Sequence, residues 1–319
     1  MKTLVLGGLG YFGHILVNEL VKQGHEVTVL DNLMYKQRPE VFGSEIRFIL
    51  GDIRHEEQVR KAMKEQEIVM DLAAIVGDQA CALNEEETIT TNLNSTRLLL
   101  AEAEEAGVQR FIYASTCSVY GCSTAYTLNE GSLVTPLSLY ARCKIESEKI
   151  LLCGARRVTP IILRLSTLFG LSPRMRFDLV VNFMCAVAYY KKKILVEGGR
   201  QWRPLLHLQD AADAFILMMD ASESKVRGEI FNVGSPKNNL KIEDLAEMIA
   251  IQQQGVMVTR QHKNDKRDYK VDFTKITELL KYSPKFHVID GVKEILGSID
   301  QYPDYENNKY YNVKYAFKN

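Results

Sequence analysis

The feature that most restricts the fold of this chain is the run Gly7-Gly8-Leu9-Gly10-Tyr11-Phe12-Gly13. It follows directly on the apolar segment Thr3–Leu6 and leads into an amphipathic stretch from about Gly13 to Lys22. Glycines at G-x-x-G-x-x-G have distinct uses at a strand-to-helix turn. They permit the tight turn, let backbone come close to a pyrophosphate, and let the helix pack hard against the strand. The helix that begins there points its unbonded N–H groups and the positive end of its dipole at an anion. On the glycines alone a plain turn is an equal reading, and the next segment decides against it. Glu26-Val-Thr-Val-Leu30 ends in Asp31 and Asn32. A carboxylate there can accept hydrogen bonds from an adenosine ribose and repel a 2′-phosphate. The pattern predicts a dinucleotide site that takes NAD in preference to NADP.

Short apolar runs alternate with helical patterns over the first two thirds of the chain. They are Thr3–Leu6, a helix near Gly13–Lys22, Glu26–Leu30, Ile46–Leu50, Ile68–Leu72, a helix near Thr91–Glu105, Arg110–Ala114, a helix near Leu139–Leu152, and Thr159–Leu165. Continuously apolar strands alternating with helices imply an α/β fold, a Rossmann-type doubly wound parallel sheet covered on both faces. After about residue 170 the rhythm loosens, through Gly170-Leu-Ser-Pro173, Lys191–Lys193 and Gly198-Gly199. We expect residues 1–170 to form the cofactor domain, with further elements of it returning near 203–235. Residues 171–319 are expected to be mainly a smaller substrate-binding region. The tail from Tyr302 to Asn319 is weakly patterned, and packing on the body or fraying are both open.

Composition excludes several classes of function. Forty basic against forty acidic side chains leave no net field to gather nucleic acid. Cys81, Cys117, Cys122, Cys143, Cys153 and Cys185 form no C-x-x-C pair and no Cys/His ligand spacing, so neither a metal site nor a disulfide framework is expected. The N-terminus opens on a strand pattern instead of a secretory leader, and no apolar run nears the roughly 20 residues that span a bilayer. A soluble, cytoplasmic protein with no nucleic-acid or membrane partner is expected.

Tyr140-Ala-Arg-Cys-Lys144 sets a phenol and an ammonium on one helix face, where the cation can lower the phenol's pKa towards working pH. Upstream, the strand Phe111–Ala114 delivers Ser115-Thr116-Cys117-Ser118-Val119-Tyr120-Gly121 at its C-terminal end, where open α/β sheets bind ligands. Taken in this order, the motifs resemble the extended short-chain dehydrogenase/reductase family, in its NAD-dependent nucleotide-sugar epimerase/dehydratase group. The resemblance runs from Gly7 to about Gly291.

The resemblance implies a specific set of roles. Gly7, Gly10 and Gly13 match the family's fingerprint, with Tyr11 and Phe12 between them; Asp31, beside Asn32, matches its ribose ligand, and Asp52-Ile53 its adenine-side pair. Leu72-Ala73-Ala74 would line the cofactor, although Asp71 stands where the family usually has His. Asn92 matches the helix asparagine, Thr116 the residue on the reacting sugar hydroxyl, Tyr140 the general base and Lys144 its partner, which also holds the nicotinamide ribose. Thr167 would floor the nicotinamide and sugar; Asn182, Arg203 and Arg267 would meet the nucleotide diphosphate. For Thr116, Asn92, Arg203 and Arg267, structural roles stay open: a strand-end hydroxyl capping its own backbone, a cap or satisfied amide, and solvated arginines. His207 and Asp210 are expected to be structural. Homodimerisation through the helices near Asn92–Glu105 and Leu139–Leu152 is implied by the resemblance alone.

The family shares one step, removal of a sugar hydroxyl proton as hydride passes to NAD, and added groups decide the fate of the keto sugar. Its 4,6-dehydratases carry Asp-Glu after the strand-end threonine, its decarboxylases an acid two residues after it, and its C3/C5 epimerases a cysteine aligned with Ser118. Here the positions hold Cys117 and Ser118. Dehydration and decarboxylation are therefore not expected, and Cys117 reads as a packed thiol. The remaining readings are a nucleotide-sugar 4-epimerase, a C4-dehydrogenase or 4-keto reductase, and a regulator that binds NAD without chemistry. The first is the expectation adopted.

Overall fold

The computed structural model describes residues 1–36, 42, 44–262 and 267–315. Its centre is a seven-stranded parallel sheet: β1 (Lys2–Leu6), β2 (Glu26–Asp31), β3 (Ile46–Leu50), β4 (Ile68–Asp71), β5 (Arg110–Thr116), β6 (Thr159–Leu165) and β7 (Glu229–Val233). Their spatial order is β7-β6-β5-β4-β1-β2-β3. Around it lie α1 (Gly13–Lys22), α2 (Glu56–Met63), α3 (Ser95–Ala106), α4 (Leu139–Gly154), α5 (Val180–Lys191) and α6 (Leu208–Asp220). Helices α1 and α6 touch on one face of the sheet, and α2, α3 and α4 pack in a row on the other.

The strand pleat explains why most inner positions are apolar. Val5 points into the cluster that holds Leu16, Val17, Leu20 and Phe215, while Leu4 and Leu6 point into the one that holds Val59, Leu99 and Phe111. Because alternate side chains meet a helix layer on each side, neither face can carry the polar residues of a half-exposed strand. Each such buried side chain contributes about 1.5–3 kcal/mol relative to exposure.

From β1 the chain steps outward to β2 and β3, then crosses back to β4 on the other side of β1. At that reversal the loops leaving β1 and β4 diverge and open a crevice at the C-terminal strand ends. Residues beyond α4 wall the crevice. They form a three-stranded sheet (Thr167–Phe169, Trp202–His207, Asn239–Lys241), a strand pair (Lys193–Glu197, Met257–Gln261) and helices including α5 and Val288–Ser298. His207 hydrogen-bonds Glu294 at 3.0 Å, and the Asp210 carboxylate accepts the N–H groups of Lys285 and Phe286 at 2.7 and 3.1 Å, so both are structural. The tail packs on the body: the rings of Tyr302, Tyr305 and Tyr310 surround Phe177 at 5.3–5.9 Å. Among the described residues no helix is long and apolar enough to cross a membrane, and no three His, Cys, Asp or Glu side chains gather to hold a metal. All six cysteines are free thiols.

Candidate active site

A cavity of about 300 Å³ occupies the crevice. Of the residues singled out from the sequence, Gly7, Gly10, Tyr11, Phe12, Asp31, Asn32, Ile53, Leu72, Ala73 and Ala74 line one side and base of it; Thr116, Tyr140, Lys144 and Thr167 line the other end. Gly7 takes φ 73°, and a Cβ there would sit 2.9 Å from the Ala73 Cα. A Cβ on Gly13 would lie 2.5 Å from the Gly7 carbonyl oxygen. Only glycine lets the β1 turn press on the β4 loop and the start of α1 press on that turn. The residue before α1, Phe12, provides no side-chain cap; His14 and Ile15 donate to the Gly10 and Phe12 carbonyls at 3.2 and 3.0 Å, and the positive end of the helix dipole faces the glycine turn.

Asp31 is held by backbone: its Oδ2 accepts from Leu9 N–H at 3.0 Å and its Oδ1 from Leu33 N–H at 2.8 Å. Burial pushes its pKa up, against these two donors and the Arg174 charge. The carboxylate keeps lone pairs for ribose hydroxyls. The cradle and this fixed carboxylate fit the diphosphate and adenosine ribose of NAD.

At the other end Ser138 caps α4, its Oγ accepting from Ala141 N–H at 3.2 Å, so Tyr140 lies in the first turn with Lys144 one turn on. Lys144 Nζ donates to the Ala114 carbonyl at 2.8 Å and lies 6.0 Å from the Tyr140 ring centre. Thr116, ending β5, lies close enough to the Tyr140 phenol to favour its ionised form, and its hydroxyl accepts Ser118 N–H at 3.1 Å, capping its own backbone. Burial pushes the Tyr140 phenol well up; Arg176 and Thr116 pull it down. Burial pushes Lys144 down, and Asp71 chiefly opposes this. Asp71 is itself pushed up to about 6 by burial, against the Lys144 charge and the Ala73 N–H.

Five expected site residues stand outside the lining. Asp52 is engaged by its own loop: burial raises its pKa, but Arg54, bonded at 2.9 and 2.7 Å, and Asn32, at 3.2 Å, outweigh burial and bring it to about 2. Asn92 sits in a π-helical turn (Thr90–Asn94) and clamps the Ile75 backbone at both its N–H, 2.8 Å, and its carbonyl, 2.7 Å. It shapes the cavity wall as a satisfied buried amide. Asn182 bonds Gly170 N–H, the Tyr11 hydroxyl and the Arg176 carbonyl at 3.3, 2.9 and 2.8 Å. Arg203 donates to the Trp202 carbonyl at 2.9 Å, and Arg267 meets Asp78 at 3.3 Å. Both arginines lie near Tyr269. Cys117 is buried, donates to the Arg164 carbonyl at 3.2 Å, is pushed up to about 12 by burial, and does not line the cavity.

Residues 3–234 match the model of the NAD dependent epimerase/dehydratase family. The chain belongs to that family. It is an enzyme that uses NAD. Among its relatives it is similar to the UDP-N-acetyl-alpha-D-glucosaminuronate decarboxylase of Bacillus cytotoxicus, 30% identical over 92% of this chain and 96% of that protein. It is also similar to the UDP-glucose 4-epimerase of Lactobacillus helveticus, 26% identical over 92% and 94%. Among solved structures, Pal of Bacillus thuringiensis superposes with TM-score 0.84 at 25% identity, over 94% of this chain and 99% of that one.

The cavity of this epimerase/dehydratase-family enzyme contains further residues that sequence reasoning missed. Arg174 lies with its guanidinium 4.0 Å from the centre of the Tyr35 ring, its Nε has no hydrogen-bond partner among the described residues, and burial with the nearby Arg176 lowers its pKa to about 10. Its charge reaches Asp31 and His14, on the first turn of α1. A guanidinium so placed suits a diphosphate. Arg176 forms a two-point ion pair with Asp178 at 2.9 and 3.0 Å. The signal was the pair Arg174-Met-Arg176, directly after the turn Gly170–Pro173. Asn312, also in the lining, carried no local signal.

Proposed function

We propose that this enzyme is an NAD-dependent nucleotide-sugar 4-epimerase. One observation carries the reading: Thr116, Tyr140 and Lys144 gather at one end of the cavity, and no carboxylate joins them in its lining there. Asp31 is the only acid among the described lining residues, and it stands at the end of β2, towards the adenosine side. Thr116 and Tyr140 orient the 4-hydroxyl of the sugar, and the Tyr140 oxygen takes its proton, with the Lys144 charge favouring the phenolate. NAD, when bound, supplies reversible hydride removal at the same carbon. The proton held on Tyr140 then returns to the oxygen after the sugar has turned over.

In this reading residues 1–170 and elements near 203–235 hold NAD, and the remainder holds the nucleotide sugar. Thr167 lies under the sugar, Arg203 and Arg267 take the substrate diphosphate, and Asn92, Asn182 and Asp52 shape the walls. Loss of water needs an acid for the departing hydroxyl and a base for the neighbouring C–H proton. Cys117 is turned away with its thiol neutral, and Ser118 is an alcohol. The likeness to a decarboxylase is therefore not extended to this reaction. Mass spectrometry of products from UDP-, GDP-, CDP- and dTDP-sugars should show unchanged mass, and Tyr140→Phe should lower turnover about 10²- to 10⁴-fold while still binding NAD. Loss of 18 or 44 daltons, the masses of water and carbon dioxide, would overturn the proposal.

A further inference from the structure

The segment Tyr310–Val313 lies far beyond the residues that match the family, yet its Asn312 lines the cavity. Asn312, 1% exposed, makes three hydrogen bonds to two walls of the cavity. Its Oδ1 accepts from Arg174 Nη2 at 2.5 Å, its Nδ2 donates to the Val76 carbonyl at 3.3 Å, and its backbone N–H donates to Asp178 Oδ2 at 3.1 Å. Phe177 N–H donates to the Tyr310 carbonyl at 3.1 Å, which fixes the segment one step earlier. Val313 packs with Met34 and Tyr140 against Ile75, Ala80 and Cys81.

The consequence is mechanical. Val76 belongs to the loop leaving β4, and Arg174 to the substrate-side wall; Arg174 in turn covers Tyr35, in the loop leaving β2. The first two are joined directly through the Asn312 amide, and the third through Arg174. Among the described residues the Arg174 Nε has no hydrogen-bond partner and Asn312 Oδ1 is the acceptor of its guanidinium, so with the Tyr35 ring beneath it Asn312 sets the direction in which it points.

We propose that Asn312 is a positioning residue of the NAD cavity: it aims Arg174 at the cofactor's diphosphate and straps the β4 loop to the substrate-side wall. Bound NAD is then released only when this strap parts. The inference rests on the assignment of the cavity to NAD.

The test uses the full chain, with NAD affinity read by calorimetry and NADH release read by fluorescence on displacement with excess NAD. Asn312→Ala, and the milder Asn312→Ser, whose hydroxyl is too short to reach Arg174, should each weaken NAD binding and speed NADH release by about tenfold, the factor set by one charge-assisted hydrogen bond. Asn312→Asp keeps an oxygen towards Arg174 and should restore affinity to within about threefold of the parent. Parent-like affinity and release in the Ala or Ser chain would overturn the proposal, as would an Asp chain no better than Ala. A parent chain that binds no NAD would instead remove the assignment of the cavity.

Discussion

Asp71 and Lys144 are two buried charges that depend on each other at the catalytic end. Burial works against both, and each charge favours the other's ionised form. The Asp71 carboxyl has its folded pKa raised from 3.8 to about 6. Its contribution to stability is therefore fully present below pH 3.8, where both states hold the proton, and is lost as pH rises through about 6, where the folded state must ionise a buried acid. Asp71→Asn should flatten this part of the stability–pH curve, measured by urea unfolding between pH 4 and pH 7, and should lower Lys144's pKa by removing its main opposing charge. An unchanged curve would show that Asp71 titrates in the ordinary range. At this scale Asp31, Thr116, Tyr140 and Lys144 were legible, because each ends a strand or shares a helix turn with its partner. Asp52 and Asn92 were legible as residues and not as contacts, since their alternatives, an intra-loop ion pair and a backbone clamp, use the same functional groups.

Helix α4 carries more than Tyr140 and Lys144, the pair proposed to be catalytic. Tyr140, Lys144 and Glu148 succeed one another at four-residue spacing on one face, and Ser147 beside them donates to the Asn92 carbonyl at 2.9 Å. Glu148 pairs with Arg164 of β6 at 3.0 and 2.7 Å, and also accepts from Ser115 of β5. Arg164 reaches on to Tyr120 at 3.0 Å, which donates to Asn232 of β7 at 2.7 Å. The pair is 3% and 4% exposed, so removing one charge leaves the other buried and unmatched. Glu148→Gln should destabilise the enzyme by about 3 kcal/mol, measured by denaturant unfolding; a change within about 0.5 kcal/mol would mean that Arg164 finds water. The helix itself was legible from its period, ending two residues beyond the expected Leu152. The helix expected from Thr91 starts earlier, at Glu85, and runs through a π-helical turn at Thr90–Asn94 that interrupts the 3.6-residue period, so no hydrophobic pattern marks its true start.

In the whole molecule, two chain regions far apart in sequence meet over one cleft. The parallel sheet and its crevice were legible in the alternation of apolar runs, a local pattern repeated along the chain. The closing wall was not: Asn312 meets Val76 across 236 residues, and Arg174 meets Asn312 across 138. Such contacts depend on how the chain returns to the cleft, which no window of neighbouring residues encodes. The chemistry proposed for this cleft oxidises a sugar at C4 and returns the same hydrogen to the opposite face without losing any other atom. Nucleotide sugars deuterated at C4 test this most directly, with product read by NMR and mass spectrometry. The expected product is the inverted C4 epimer with its deuterium retained at C4 in unlabelled water and its mass unchanged. A product that has exchanged the C4 label with solvent, or that has lost water or carbon dioxide, would contradict it.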